Sequence, residues 1–233
     1  NDELDQLQAG QPEHYAQLKT TAKLFPVAML DSELGEVPEG WEVSTIGEEV
    51  DVVGGGTPST KNPEFWDGGE IHWTTPKDLS NLSDKVLLTT NRKITDVGLK
   101  KISSGLLPVN TVLMSSRAPV GYLALVKVPV AVNQGYIAML CDKRLSPEFV
   151  IQWCNYAMDE IKQRSSGTTF AEISKKNFKI IPVIVSSEDI QQSYSEMVSD
   201  FYDKITETAI ECKTLADICD SLLPKLLSGE VTP

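Results

Sequence analysis

Residues 188–223 read EDIQQSYSEMVSDFYDKITETAIECKTLADICDSLL. In alternating steps of four and three, Tyr194, Val198, Phe201, Ile205, Thr208, Cys212, Leu215, Cys219, Leu222 and Leu226 form one series. Nine of these ten positions are apolar or aromatic, and Thr208 is the exception. A 3.5-residue period held over several turns marks a helix that packs along another helix. At 1.5 Å per residue the stretch spans about 54 Å, more than a compact domain of this size needs. With Val198, Ile205, Cys212, Cys219 and Leu226 as a positions, Met197 and Ile218 fall at g, and Ala209, Ala216 and Leu223 at e. The apolar stripe is therefore wider than a two-stranded seam, which predicts more than one neighbour. The pattern alone leaves two readings open, a core helix of one domain and a helix paired outside it. Thr208 is a candidate for fixing register in the seam, and Pro224 for bending or ending it.

The charge is segregated along the 233 residues, whose formal net charge is −12. Residues 1–40 hold eight acids and two bases, and residues 183–233 ten acids and three bases. Residues 41–182 hold fifteen acids and sixteen bases, and within them residues 71–127 carry eight bases against three acids. Bulk acidity argues against a nucleic-acid binder. A near-neutral middle with a basic strip, flanked by acidic helices, instead suits a nucleic-acid face with acid kept away from it. The four cysteines, at 141, 154, 212 and 219, form no C-x-x-C pair, and two lie on the heptad stripe. They read as small buried hydrophobes in a reducing compartment. No charge-free apolar run reaches the roughly 18 residues of a membrane span, and no signal-peptide pattern is present, so a cytoplasmic location is expected. The first residue is Asn1 and not Met, which suggests a piece of a longer chain.

Three segments follow from the punctuation. Residues 1–40 are an N-terminal helix over 13–25, ended by Pro26, and an acidic linker over 31–40. Residues 41–185 are a mixed α/β domain of short twisted strands. Strand candidates are Val50–Val53, Ile71–Thr74, Val112–Ser116, Tyr122–Val128, Tyr136–Leu140 and Phe178–Val185. Ser146 as N-cap, Pro147 and Glu148 open a helix whose buried face is Phe149, Val150, Trp153, Ala157 and Ile161. A short helical piece is expected over 171–177. Residues 186–233 are the long helix, capped by Ser186-Ser187. The fold class is α+β, one such domain followed by a coiled-coil-like C-terminal helix.

No catalytic motif stands out. His14 and His72 are the only histidines, His14 in a polar N-terminal helix and His72 beside Trp73 in a strand, so neither a metal site nor a triad is expected. Gly54-Gly55-Gly56 follows a strand but lacks the Lys-Ser/Thr ending of a phosphate loop and the G-x-G-x-x-G spacing. No Asn/Asp-Pro-Pro-aromatic motif of amino-methyltransferases is present, nor a helicase-type nucleotide loop. What recurs is polar and basic residues at turns. They are Thr57, Ser59, Lys61, Thr74, Thr75, Lys77, Asp78, Asn91, Arg92, Lys93, Lys100, Lys101, Ser115, Ser116, Arg117, Asn133, Gln134, Thr168, Thr169, Lys175 and Lys176. Loops on a rigid scaffold carry function. Lys and Arg suit phosphate oxygens, while Arg, Asn and Gln can grip base edges with two hydrogen bonds. Arg117 ends an apolar strand at a tight turn, a costly position for a guanidinium unless a carboxylate or a base meets it.

At these residues the chain resembles the specificity (S) subunits of type I restriction–modification enzymes. Leu34-Gly35-Glu36-Val37-Pro38-Glu39-Gly40-Trp41 is similar to the opening of that family's target recognition domain, and Gly55-Gly56-Thr57-Pro58-Ser59 with Asn62-Pro63-Glu64-Phe65-Trp66 to its first turn. Trp73-Thr74-Thr75-Pro76-Lys77-Asp78-Leu79, Ser115-Ser116-Arg117-Ala118-Pro119-Val120-Gly121 and Asn133-Gln134-Gly135 continue the likeness. Gly167-Thr168-Thr169-Phe170, Glu172-Ile173-Ser174 and Leu222-Leu223-Pro224-Lys225-Leu226-Leu227-Ser228-Gly229-Glu230 complete it, in order over most of the chain.

The resemblance implies two recognition domains per subunit, each reading one half of a bipartite DNA sequence and each followed by a long helix. The helices run antiparallel and hold the domains apart. Methylation (M) subunits dock on them and methylate adenine N6 with S-adenosylmethionine, and a restriction (R) motor subunit with ATP and Mg cleaves. This chain has one domain and one helix, so it is expected to be half of such a subunit, self-pairing or the C-terminal half of a full one. It is expected to be non-catalytic and to hold no cofactor itself. In this reading Lys61, Lys77, Arg92, Lys100, Lys101 and Lys175 sit on phosphates, while Arg117, Gln134 and Asp78 or Thr75 read bases in the major groove, with Thr57 at the same face. Tyr194, Val198, Phe201, Ile205, Thr208, Cys212, Leu215, Cys219 and Leu222 pack on the partner helix. The competing readings are a coiled-coil adaptor for an acidic protein and, less favoured by the missing motifs, an enzyme in its own right.

Overall fold

Unbroken apolar runs such as Val112–Met114 call for strands covered on both faces. The computed structural model, which describes residues 2–80, 82–167 and 171–228, has that arrangement. Thr168, Thr169, Phe170, Gly229 and Glu230 of the quoted motifs lie outside the described residues. A five-stranded sheet runs in the order Asp51–Val53, Tyr136–Leu140, Val112–Ser115, Leu123–Val126, Val86–Leu87. Its neighbours are antiparallel except the last pair, which is parallel. Side chains alternate across the pleat. Val112, Met114, Ile137 and Met139 pack with Val150, Ile151, Cys154 and Phe178 on one face. Leu113, Ala124, Val126 and Ala138 pack with Leu87, Val130 and Val132 on the other.

A second sheet places Ile71–Thr74 between Val130–Val132, parallel to it, and Arg92–Ile94, antiparallel to it. Trp73, Ile94, Ile102 and Ala131 form its own small core. The two ends of the domain are joined by Glu42–Thr45 pairing antiparallel with Pro182–Val185. Beside that seam Glu49, only 2% exposed, accepts two hydrogen bonds from Arg144, at 2.9 and 2.6 Å, and one from Ser44 at 2.6 Å. A buried carboxylate needs this much compensation.

The helix signals are realised locally. The Ser146 hydroxyl accepts the Phe149 N–H at 3.2 Å, and Pro147 opens Pro147–Tyr156. That helix stops at Ala157 and resumes as Met158–Gln163. Ser187 precedes a helix of 40 residues, Glu188–Leu227, about 60 Å long at the α-helical rise.

Several expectations change. Overlapping the stretch 31–40 read as a linker, Met29–Ser32 and Gly35–Pro38 pair as an antiparallel hairpin, with Gly35 at φ +94° in the turn. The helix expected over 171–177 is Lys175–Lys179, and only Pro182–Val185 of the run from Phe178 is strand. Tyr194 and Val198, assigned to the partner seam, face this chain's own domain. Tyr194 meets the Phe149 ring edge to face at 5.9 Å, and Val198 packs on the main core. The reason is a second series with steps of four, Ile190, Tyr194, Val198 and Tyr202, which carries the apolar face onto the helix Pro147–Tyr156. From Phe201 onward the stripe is exposed, and so are Cys212 and Cys219; Gln152 at Tyr202 and Lys127 at Asp203, 3.9 Å away, are the domain's contacts to the helix just past Phe201. The Thr208 hydroxyl donates to Lys204 O at 2.8 Å, within its own helix. Pro224 does not end the helix, which runs on to Leu227.

Candidate nucleic-acid interface

The second sheet delivers its strand ends to one rim, where four turns meet. Gly54–Ser59 leaves the strand Asp51–Val53 and lies against Val132 and Asn133. Gly56 N donates to Val132 O at 2.9 Å, and a Cβ on Gly55 would overlap the Val132 carbonyl. Glycine is required at position 55 by that close approach, not by its φ. Asn133 N donates to Thr74 O at 3.1 Å, and the Asn133 side chain accepts Gly135 N–H at 2.9 Å, which closes a short turn around Gln134. Gly135 O in turn accepts Ser116 N–H at 2.8 Å, which brings in the Arg117 turn. Pro76 packs on Gly135.

Thr57 and Gln134 are thus brought together, and the Thr57 hydroxyl donates to Gln134 Oε1 at 2.6 Å. Gln134 is exposed, and its side-chain NH2 makes no hydrogen bond among the described residues. Lys175 joins from the helix Lys175–Lys179. Its ammonium lies beside Gly54, where any larger side chain would crowd it. Lys77 is exposed on the first turn of Pro76–Leu79. Lys61 is exposed on the same loop as Thr57. Lys100 caps the short helix Asp96–Leu99, and Lys101 follows it with its ammonium 5.8 Å from the Phe65 ring centre.

Asp78 has a different role from a free base reader. Its Oδ2 accepts the Thr75 N–H at 2.7 Å and the Thr75 and Thr74 hydroxyls at 3.0 and 3.3 Å, and its Oδ1 accepts the Asn91 N–H at 3.0 Å. Asp78 therefore fixes the turn 74–78 to the loop that leads into Arg92, and it occupies the Thr75 hydroxyl. Arg117 has found a carboxylate partner, Glu172, at 3.7 Å, and the two backbones form an isolated antiparallel bridge. The Arg117 turn is braced by Ser115, whose hydroxyl donates to Pro119 O at 2.6 Å and accepts Tyr122 N–H at 2.8 Å. Below the rim, burial and then the Lys93 ammonium hold the His72 imidazole below the usual histidine range, and its Nδ1 lies 3.1 Å from the Thr90 hydroxyl.

Two tryptophans were not singled out by the sequence reasoning. Trp66 and Trp73 meet edge to face at 5.1 Å, and the Arg92 guanidinium lies 3.6 Å from the Trp66 ring centre and 5.4 Å from that of Trp73. Both indoles tie this platform to the first loop, Trp66 Nε1 donating to Ser59 O at 3.0 Å and Trp73 Nε1 to Gly56 O at 3.1 Å. Trp73 and Arg92 are cross-strand partners, a register no linear spacing reveals. Asn133-Gln134-Gly135 did carry a usable signal, since Asn before Gly at that spacing favours a side-chain-closed turn. Chemically, the rim presents cations, an amide and hydroxyls on a rigid base. Among the described residues no group of three His, Cys, Asp or Glu side chains is placed to hold a metal ion. No described helix is long and apolar enough to cross a membrane.

Comparison with known proteins agrees with this layout. Residues 38–213 match the family described as type I restriction modification DNA specificity domain. The chain is 35% identical over 177 residues to the type I restriction enzyme MjaIX specificity subunit of Methanocaldococcus jannaschii, covering 75% of this chain and 41% of that one. It is 30% identical over 242 residues to the HindI specificity subunit of Haemophilus influenzae, covering 99% and 51%. Its fold is similar to the crystal structure of the HsdS subunit from Thermoanaerobacter tengcongensis, with TM-score 0.54 at 18% identity over 92% of this chain and 47% of that one. The chain spans about half the length of the curated relatives it matches. The adaptor reading finds no support among these relatives. With its match covering most of the sequence, the chain belongs to the type I restriction modification DNA specificity domain family.

Proposed function

We propose that this chain is a DNA sequence-specificity unit of a type I restriction–modification system, reading one half of a bipartite double-stranded target. The observation that carries the reading is the single rim on which Thr57, Gln134, Arg92, Lys101 and Lys175 stand on linked backbone segments. A phosphate backbone needs dispersed cations, and base edges need fixed amide or guanidinium forks. The rim supplies both, while the net negative charge lies in residues 1–40 and 183–233. The chain itself performs no catalysis in this reading. Methylation subunits dock on the long helix and carry S-adenosylmethionine, and a restriction motor subunit carries ATP and Mg. A second recognition half, or a second copy, completes the target through the exposed apolar stripe. The assembly works in the cytoplasm, where the host DNA is.

The test uses the chain with its methylation subunits and measures binding to duplexes of varied sequence and salt. Lys100→Ala lowers affinity for all sequences alike and reduces the salt slope by about one. Arg117→Ala relaxes preference at one position, by roughly 1–3 kcal/mol of lost discrimination. Unchanged specificity and affinity in Arg117→Ala would remove that residue from base reading and leave its Glu172 contact as structural. No dependence on DNA at all would return the adaptor reading.

A further inference from the structure

The four arginines of the chain are Arg92, Arg117, Arg144 and Arg164. Three of them spend their charge on carboxylates of the same chain. Arg117 meets Glu172 at 3.7 Å, Arg144 meets Glu42 and Glu49 at 2.7 and 2.6 Å, and Arg164 meets Glu160 at 2.7 Å. Arg92 has no carboxylate within ion-pair distance among the described residues, although it is exposed in an acidic protein. Its guanidinium lies instead on the face of Trp66, 3.6 Å from the ring centre.

The difference matters chemically. A carboxylate consumes the N–H groups of a guanidinium, whereas an aromatic face takes up only its π surface and leaves the in-plane donors open. The stack also removes rotamer freedom before any ligand arrives, so less entropy is lost on binding. The platform does not float free of the rim. Trp66 and Trp73 are hydrogen-bonded to Ser59 and Gly56, on either side of Thr57, and Thr57 is bonded to Gln134. From the other side Asp78 accepts Asn91 N–H, and the Thr90 hydroxyl donates to Arg92 O at 2.7 Å, which fixes the strand start that bears Arg92.

We infer that Arg92 is a base-reading residue, not a phosphate contact, and that Trp66 is the residue that positions it. A planar fork with two free parallel donors fits the paired acceptors O6 and N7 of a guanine in the major groove, the base edge that accepts two hydrogen bonds from arginine. Lysine, a flexible point charge without a planar fork, satisfies a phosphate equally well but cannot be held on that edge by the Trp66 face as a stacked guanidinium is. The inference rests on the DNA reading above.

The experiment is selection of bound duplexes from a randomised half-site library, with the chain in complex with its methylation subunits. The wild-type complex enriches a guanine at one position over the other bases by roughly 10- to 100-fold. Arg92→Lys loses most of that enrichment at that position alone, with preferences elsewhere and the thermal midpoint unchanged. Trp66→Ala loses it likewise, and Trp66→Phe, which keeps a ring face, restores most of it; a merely structural role for Trp66 would blur every position together. Full wild-type preference in Arg92→Lys, or an even loss over all sequences in Arg92→Ala with a salt slope lower by about one, overturns the inference and leaves Arg92 a phosphate contact while the DNA reading stands. Absence of any sequence preference in the wild-type complex overturns both.

Discussion

The two halves of the helix Glu188–Leu227 share one heptad stripe, to which the first half adds the series Ile190, Tyr194, Val198 and Tyr202, and they meet opposite surroundings. In the first half Ile190 and Tyr202 are buried, and Tyr202 accepts a hydrogen bond from Gln152 at 2.7 Å. In the second half Leu215 is 61% exposed and Ile218, beside it on the stripe, 47%. A hydrophobic period states that a face will be covered; it does not name the cover. The near half is finished by its own domain. The far half offers a contiguous apolar strip larger than scattered surface hydrophobes explain, the usual mark of a binding face.

The sharpest way to break that comparison is to cut one anchor. Tyr202→Ala removes a buried ring and orphans part of the Gln152 amide, so the chain alone should lose about 2–4 kcal/mol in urea or guanidinium unfolding. Tyr202→Phe isolates the hydrogen bond and should lose only about 0.5–1.5 kcal/mol. If Tyr202→Ala were neutral, the near half would not be docked on the domain, and the distinction between the halves would vanish.

Much of this architecture was legible beforehand. Ser146-Pro147-Glu148 announced a helix start, the run Val112–Ser116 announced a strand, and the heptads announced the long helix. What stayed hidden depends on pairing between distant residues. Strands of two or three residues, Val86–Leu87, Arg92–Ile94 and Val130–Val132, are too short for period-two alternation to register, and the sheet neighbours alone make them strands. The hairpin in 29–38 was masked by acidic turn residues. At the rim, the residue types were visible but not their bonds. Asp78 looked like a candidate reader, and only the fold shows its carboxylate filled by Thr74, Thr75 and Asn91. Arg92 looked like one cation among many until the register set it against Trp73 and beside Trp66.

Charge separates the same two regions. In the domain, Arg144 supports a buried Glu49; on the far helix, Lys213 reaches Asp217 at 3.1 Å in full view of solvent. Arg144→Ala should cost about 1–3 kcal/mol by leaving a buried carboxylate short of donors, and Lys213→Ala a few tenths of a kcal/mol at most. The pH dependence has a definite sign. Hydrogen bonding from Arg144 holds the Glu49 carboxyl below its ordinary value of 4.5, against the opposing effect of burial. Its contribution is therefore present above that value and lost as pH falls through the lower folded value. The gap in stability between wild type and Arg144→Ala should be full at neutral pH and close in acid, read by denaturant titrations at several pH values. The Lys213→Ala gap, small throughout, should fade instead with added salt.

The smallest effect on the chain alone is expected where the largest effect on assembly lies. Leu215→Ser removes an exposed apolar group, so its unfolding free energy should stay within about 0.5 kcal/mol of wild type. In a complex whose partner covers the far half, the same substitution removes a buried contact and should weaken assembly by about 2 kcal/mol or more, read as the concentration at which the complex dissociates. Thiol chemistry reports the same boundary without a mutation. Cys212 and Cys219 are exposed and should be alkylated in the isolated chain, then protected once the partner is bound. Cys154 is buried, and burial raises its thiol pKa, so it should stay unlabelled until the domain unfolds; Cys141, pushed up to about 12 chiefly by burial, should react slowly. Protection of Cys212 and Cys219 in the chain alone, at concentrations where it is monomeric, would mean that the far half folds back on its own domain and leaves no free apolar face for a partner.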